Sequence, residues 1–171
     1  MTRRYRFQLQ SRFDPDLLER VEGVFHGENL VQMILHAHLL IERALTLEIA
    51  SKLARPEILE DPKYGRWSFH RKLALYIGLC EPAEDRERML FGFNKLRNMI
   101  AHGFRDESVC VETCLPWEGE QLSKPDAIEH VWVVASILLF ELGAIKAIQR
   151  LDVEIPPSNQ AIQRTAPHSN A

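Results

Sequence analysis

The chain is poor in cysteine: Cys80, Cys110 and Cys114 are an odd number and lack the look of a disulfide framework. It also lacks a signal core, because Met1-Thr2-Arg3-Arg4-Tyr5-Arg6 is followed by no apolar stretch. No apolar run approaches the ~18–20 residues that cross a bilayer. The longest candidate, Val131 to Leu142, is interrupted by Ser136 and Glu141. These absences lead us to expect a cytoplasmic, reducing environment and no membrane partner. Charge of one sign is missing too. A net charge of -3 excludes a global attraction to nucleic acid, so any such binding must come from a local patch. There is no Gly-rich phosphate loop, nucleophile elbow or paired-carboxylate pattern, and no internal repeat. No cofactor is expected.

What the chain does have is helical periodicity. Its 171 residues, 46% apolar, suit one domain with tails. We expect a basic N-terminal arm over 1–12, a single helical domain over 13–151 and a disordered tail over 152–171. Asp14-Pro15 starts a helix through Leu17, Leu18, Val21, Val24 and Phe25. Asn29 opens the longest run, in which Leu30, Met33, Ile34, Ala37, Ile41, Ala44 and Leu45 share one stripe to about Leu53. Pro56 breaks it, with an extra turn at Pro56–Leu59. Ser68 caps a helix carrying Leu73, Leu75, Ile77 and Leu79. Glu84 and Asp85 open the next, whose buried stripe reads Met89, Phe93, Leu96 and Ile100. From Phe104 to Lys124 periodicity disappears: Val109–Thr113 resembles a strand and the rest a long loop. Pro125-Asp126 opens a last helix to about Arg150. The expected fold is all-α, a helical bundle of four to five helices with a long loop before the last helix.

The segment Leu96-Arg97-Asn98-Met99-Ile100-Ala101-His102-Gly103 stands out. Arg97 and His102 lie about 140° apart on an ideal helix, but Gly103 favours the left-handed turn that closes a helix. His102 then sits where helix yields to loop, and its ring can swing toward Arg97. A fixed cation beside an imidazole suits phosphate chemistry. A salt bridge and a C-terminal cap use the same residue types.

Arg97, Asn98 and His102, within Lys95-Leu96-Arg97-Asn98-Met99-Ile100-Ala101-His102-Gly103-Phe104, resemble the signature of HEPN domains. That family includes prokaryotic toxins, abortive-infection proteins and CRISPR-associated ribonucleases. The earlier segment Leu39-Leu40-Ile41-Glu42-Arg43-Ala44-Leu45 is similar to the family's long helix, and the resemblance covers roughly 25–150. It implies metal-independent RNA cleavage from a homodimer whose two motifs line one cleft, with an antitoxin or regulatory protein as possible partner. His102 would act as general base on a ribose 2′-hydroxyl or as acid on the leaving oxygen. Arg97 would stabilise the charge of a phosphorane-like state. Asn98, four residues before His102, would orient the imidazole or a phosphate oxygen. Lys95 and Arg105 would add local positive potential for the substrate. One departure matters. Phe104 stands where toxins silenced by an adenylylating partner carry Tyr, so there is no hydroxyl to modify.

Glu42 and Glu48 are candidates to hold Arg97, and the sequence does not choose between them. Glu42 can equally pair with His38 one turn away, and Glu48, on the apolar stripe, needs a partner if buried. His36, His38, Cys110 and Cys114 form no convincing zinc set, because Cys-x3-Cys lacks a matching second pair. Arg3, Arg4, Arg6 and Arg12, interleaved with Tyr5, Phe7 and Phe13, would contact RNA or remain a solvated terminus. The last helix is more apolar than one bundle face needs, which favours packing on a second subunit. Finally, the segment from Ser68 to Leu79 before an acidic helix start resembles the mannitol operon repressor family. That resemblance implies a non-catalytic all-α regulator acting through protein contacts.

Overall fold

The computed structural model describes residues 19, 23, 25, 29–64, 67–103, 107–115 and 126–143. Among these residues the backbone forms five complete helices and two 3-10 turns, with no strand. Glu19, Gly23 and Phe25 are also helical, and Phe25 is buried.

Helix α1 (Leu30–Lys52) begins with a reciprocal cap. The Asn29 side chain accepts from the Gln32 backbone N–H at 2.9 Å, and the Gln32 side chain accepts from the Asn29 N–H at 3.2 Å. Its stripe is buried, with Ile34, Ala37, Ile41, Leu45 and Ile49 fully enclosed. Each such Ile or Leu contributes about 1.5–3 kcal/mol of burial. The helix stops at Lys52, and Pro56–Leu59 and Pro62–Tyr64 make the turns that follow.

Helix α2 (Phe69–Cys80) is capped by Ser68, whose hydroxyl accepts from the Arg71 N–H at 3.4 Å. Helix α3 (Glu84–Ala101) has no side-chain cap at Ala83, and Glu84, Asp85 and Glu87 offset the positive end of its dipole. Helix α5 (Ala127–Glu141) is capped by Asp126, which accepts from the Glu129 N–H at 2.8 Å. Around α1 pack α5, α2, α3 and the first 3-10 turn; α4 (Glu107–Cys114) joins α3 to α5. Buried side chains from all five helices form one core.

Four expectations need correction. The stretch that resembled a loop with a strand contains α4, while 104–106 and 116–125 lie outside the described residues. Cys110, Val111, Cys114 and Leu115 are all buried, a helical spacing hidden in a segment of β-branched and sulfur side chains. The last helix ends at Glu141 rather than about Arg150, because Gly143 takes a left-handed φ of 62°. The buried stripe of α3 is Leu90, Gly92, Phe93 and Leu96, with Met89 and Ile100 only partly covered; on α2, Leu79 is exposed. Lastly, α1 is long and apolar enough, by length and composition, to cross a membrane. Glu42 and Arg43 interrupt its apolar run, so no continuous apolar stretch marks it in the sequence. Half of that apolar stretch is buried in the bundle.

The apolar surplus of α5 is used inside the chain. Val131, Trp132, Val133, Val134, Ala135, Leu138 and Leu139 are all buried, because α5 lies against α1, α3 and α4 at once. Ile128, near its start, remains 44% exposed.

Candidate functional site

The site lies at the C-terminal end of α3. The helix closes as the motif suggested: His102 is the C-cap, its N–H donates to the Asn98 carbonyl at 3.0 Å, and Gly103 follows with φ 77°. The Gly103 N–H returns to the Ile100 carbonyl, so helical backbone ends beside the imidazole. Arg97, His102 and Lys95 are exposed, and Asn98 is half-buried.

Asn98 links the pair. On the helical wheel it stands about 40° from His102 and about 100° from Arg97, filling the arc between them. Its side-chain oxygen accepts from Arg97 Nη1 at 3.1 Å. Asn98, expected to orient the imidazole or a phosphate oxygen, engages the Arg97 guanidinium. Arg97 and His102 make no hydrogen bond with each other among the described residues, and both side chains face solvent.

The two candidate acids have other partners. Glu42 accepts from Lys72 Nζ of α2 at 2.8 Å, a pair that is largely buried. Glu48 is partly exposed and faces Lys52 one turn on, at 3.9 Å. Neither hydrogen-bonds Arg97. The expectation that one of them holds the guanidinium is corrected, since Lys72 arrives from 30 residues away and reaches Glu42 first. Arg105, the second expected substrate contact, lies outside the described residues, as do the arm over 1–12 and the tail over 152–171.

A polar residue beneath the site was not foreseen in this role. His38 is buried, 6% exposed, with its ring centroid 4.5 Å from that of Phe69 on α2. Its Nε2 has no hydrogen-bond partner. Burial lowers its pKa from the ordinary 6.5, and the charge of Arg97 acts in the same direction; Glu42 and a hydrogen bond with Asn94 oppose the shift. His38 is therefore held toward the neutral form directly behind α3. The signal was available in part, since His38 falls on the edge of the α1 stripe, but Asn94 as its partner follows only from helix packing.

The residues considered for zinc do not gather. His36 is exposed on α1 while His38 is buried, and Cys110 and Cys114 lie within the core. Cys114 Sγ rests 3.4 Å from Met99 Sδ, and burial pushes its thiol pKa up. Among the described residues no three His, Cys, Asp or Glu side chains form a metal set.

The arrangement offers an exposed imidazole, a guanidinium fixed by an amide, and an exposed lysine at one helix end. Such a set can bind a phosphodiester and move a proton beside it. No family model, no curated protein and no solved structure matches the chain.

Proposed function

We propose that the chain is a metal-independent endoribonuclease of toxin-antitoxin or phage-defence type, acting on cytoplasmic RNA as a homodimer. His102 moves the proton of a ribose 2′-hydroxyl, or supplies one to the leaving oxygen, as the 2′-oxygen bonds phosphorus and the P–O bond of the leaving group breaks. Arg97 bears the charge that accumulates on the phosphoryl oxygens, and Lys95 attracts the substrate. The observation that carries this reading is the C-terminal end of α3, where Arg97 and His102 are both exposed and the Asn98 side chain accepts from the guanidinium at 3.1 Å. The two acids considered for a structural salt bridge to Arg97 pair elsewhere, Glu42 with Lys72 and Glu48 with Lys52.

The test is cleavage of RNA by the wild-type protein in the presence of a chelator, compared with His102→Ala and Arg97→Ala. Loss of a general acid or base lowers the rate by about 100-fold or more. We expect that loss with each variant, with unchanged helical content by circular dichroism. Equal cleavage by wild type and His102→Ala, or none by wild type, ends the proposal. A second reading, a regulatory module similar to the mannitol operon repressor, is favoured by Leu39 and Leu35 on α1. They are 61% and 38% exposed and offer a protein an apolar contact. Absence of cleavage together with capture of a protein partner that depends on Leu39 supports that reading.

A further inference from the structure

The chain is acidic as a whole, yet two of its helices carry a strip without a single carboxylate. Residues 88–103 include Arg88, Lys95, Arg97 and His102 and no Asp or Glu; α2 contains His70, Arg71 and Lys72 and no acid of its own, and of these Lys72 is neutralised by Glu42 of α1. The acids of α3, Glu84, Asp85 and Glu87, are confined to its first turn. Into the middle of this strip projects Phe91, 39% exposed, with its ring centroid 6.2 Å from that of His70 on α2 and the planes inclined at 54°. Such a large apolar ring left on the surface among cations has no role in the core described above.

Helical phase makes the strip continuous with the candidate site. Phe91, Lys95, Asn98 and His102 fall within about 60° of one another on α3. From Phe91 to His102 the helix rises about 16 Å, enough for about five nucleotides of a stacked strand at ~3.4 Å each. An aromatic face for a base, followed one turn later by an ammonium for a phosphate, is the alternation that single-stranded nucleic acid requires. A second copy of this chain sealing the strip in its interface would bring like charges together, whereas two copies flanking a cleft leave it free for RNA.

We infer that the strip centred on Phe91, His70 and Lys95 is a binding track for single-stranded RNA that leads to His102. The ligand's class rests on the nuclease reading; the location of the track rests on the exposed ring and the missing acids. Base stacking takes place on Phe91, with the His70 imidazole as the neighbouring ring. Lys95, with Arg71 at the α2 edge, neutralises the phosphates.

The test uses a 12-nucleotide 2′-O-methyl oligoribonucleotide, which keeps bases and phosphates but lacks the hydroxyl that cleavage needs. Its binding to the full chain is followed by fluorescence anisotropy across a salt series. Phe91→Ala weakens binding about tenfold, the loss of one stacked base. Lys95→Glu weakens it and lowers the slope of log K against log salt by about 0.7 or more, one phosphate contact on a single strand. Retained affinity in both variants overturns the track even if the wild type cleaves RNA. So does an absence of binding by the wild type. A change in sedimentation caused by Phe91→Ala also overturns it, assigning the ring to an interface between copies. Wild-type binding that is lost in both variants, without any RNA cleavage, upholds the track and rejects only the nuclease chemistry.

Discussion

His38 is buried against Phe69 with Asn94 and Arg97 of α3 near its ring and Glu42 one turn along its own helix. Burial is the main reason its pKa falls, so the folded state binds a proton less readily than the unfolded chain. Well above pH 6.5 both states hold a neutral ring and His38 adds no pH dependence. As pH drops below 6.5 the unfolded chain takes up the proton first, and the fold loses stability until the folded ring protonates as well. Urea midpoints at pH 7 and pH 5 measure this. Wild type should lose more stability over that interval than His38→Leu, which keeps an apolar body beside Phe69. Equal losses would remove His38 as the source. A cationic His38 would also stand against Arg97, so acid should disturb the guanidinium that the proposed chemistry needs.

At the scale of the helices, two glycines make opposite demands. A Cβ on Gly92 would lie 2.2 Å from the Cys114 carbonyl oxygen and 2.9 Å from the Leu115 side chain, because α4 rests directly on the backbone of α3. A Cβ on Gly78 meets nothing within 4 Å. Gly78→Ala should therefore stabilise the protein by about 0.5–1 kcal/mol through helix propensity. Gly92→Ala should destabilise it by about 1–3 kcal/mol despite the same propensity gain, since α4 must shift. Denaturant titration of both variants checks the difference in sign. This seam also shows what was readable beforehand. The starts of α1, α2 and α5 were legible because Asn29, Ser68 and Asp126 announce caps, and the end of α3 because Gly103 follows His102. α4 was missed because Val109, Val111 and Thr113 favour strand locally, and only packing on Gly92 decides otherwise. In the candidate site, Arg97, Asn98 and His102 could be named from spacing alone. The Lys72–Glu42 pair and Asn94 behind His38 join different helices, and no local pattern encodes them.

For the whole molecule, cohesion comes from the shared core, with ionic contacts at its edge. Arg86 of α3 donates from Nε to Glu141 of α5 at 2.7 Å and from Nη1 to the Tyr76 hydroxyl of α2 at 3.4 Å, tying three helices at one end of the bundle. Both partners of the ion pair keep roughly a quarter to a third of their side-chain surface in solvent. Arg86→Ala should thus cost only about 1 kcal/mol. Ile41→Ala, at a fully enclosed position of α1, should cost about 2–5 kcal/mol. With a shift of about 2–4 °C in Tm per kcal/mol for a chain of this size, calorimetry separates the two. A larger effect at Arg86 than at Ile41 would mean that the ionic clamp, and not apolar burial, governs cohesion.

The left-handed residue after His102 fixes where α3 runs out. Were the spiral to continue for one more turn, Arg105 and Asp106 would stand over the ring, three and four places along the same face. Ending the coil at this point goes with an imidazole that stays in solvent, so a single achiral residue sets the length at which the spiral hands its last side chain to the outside.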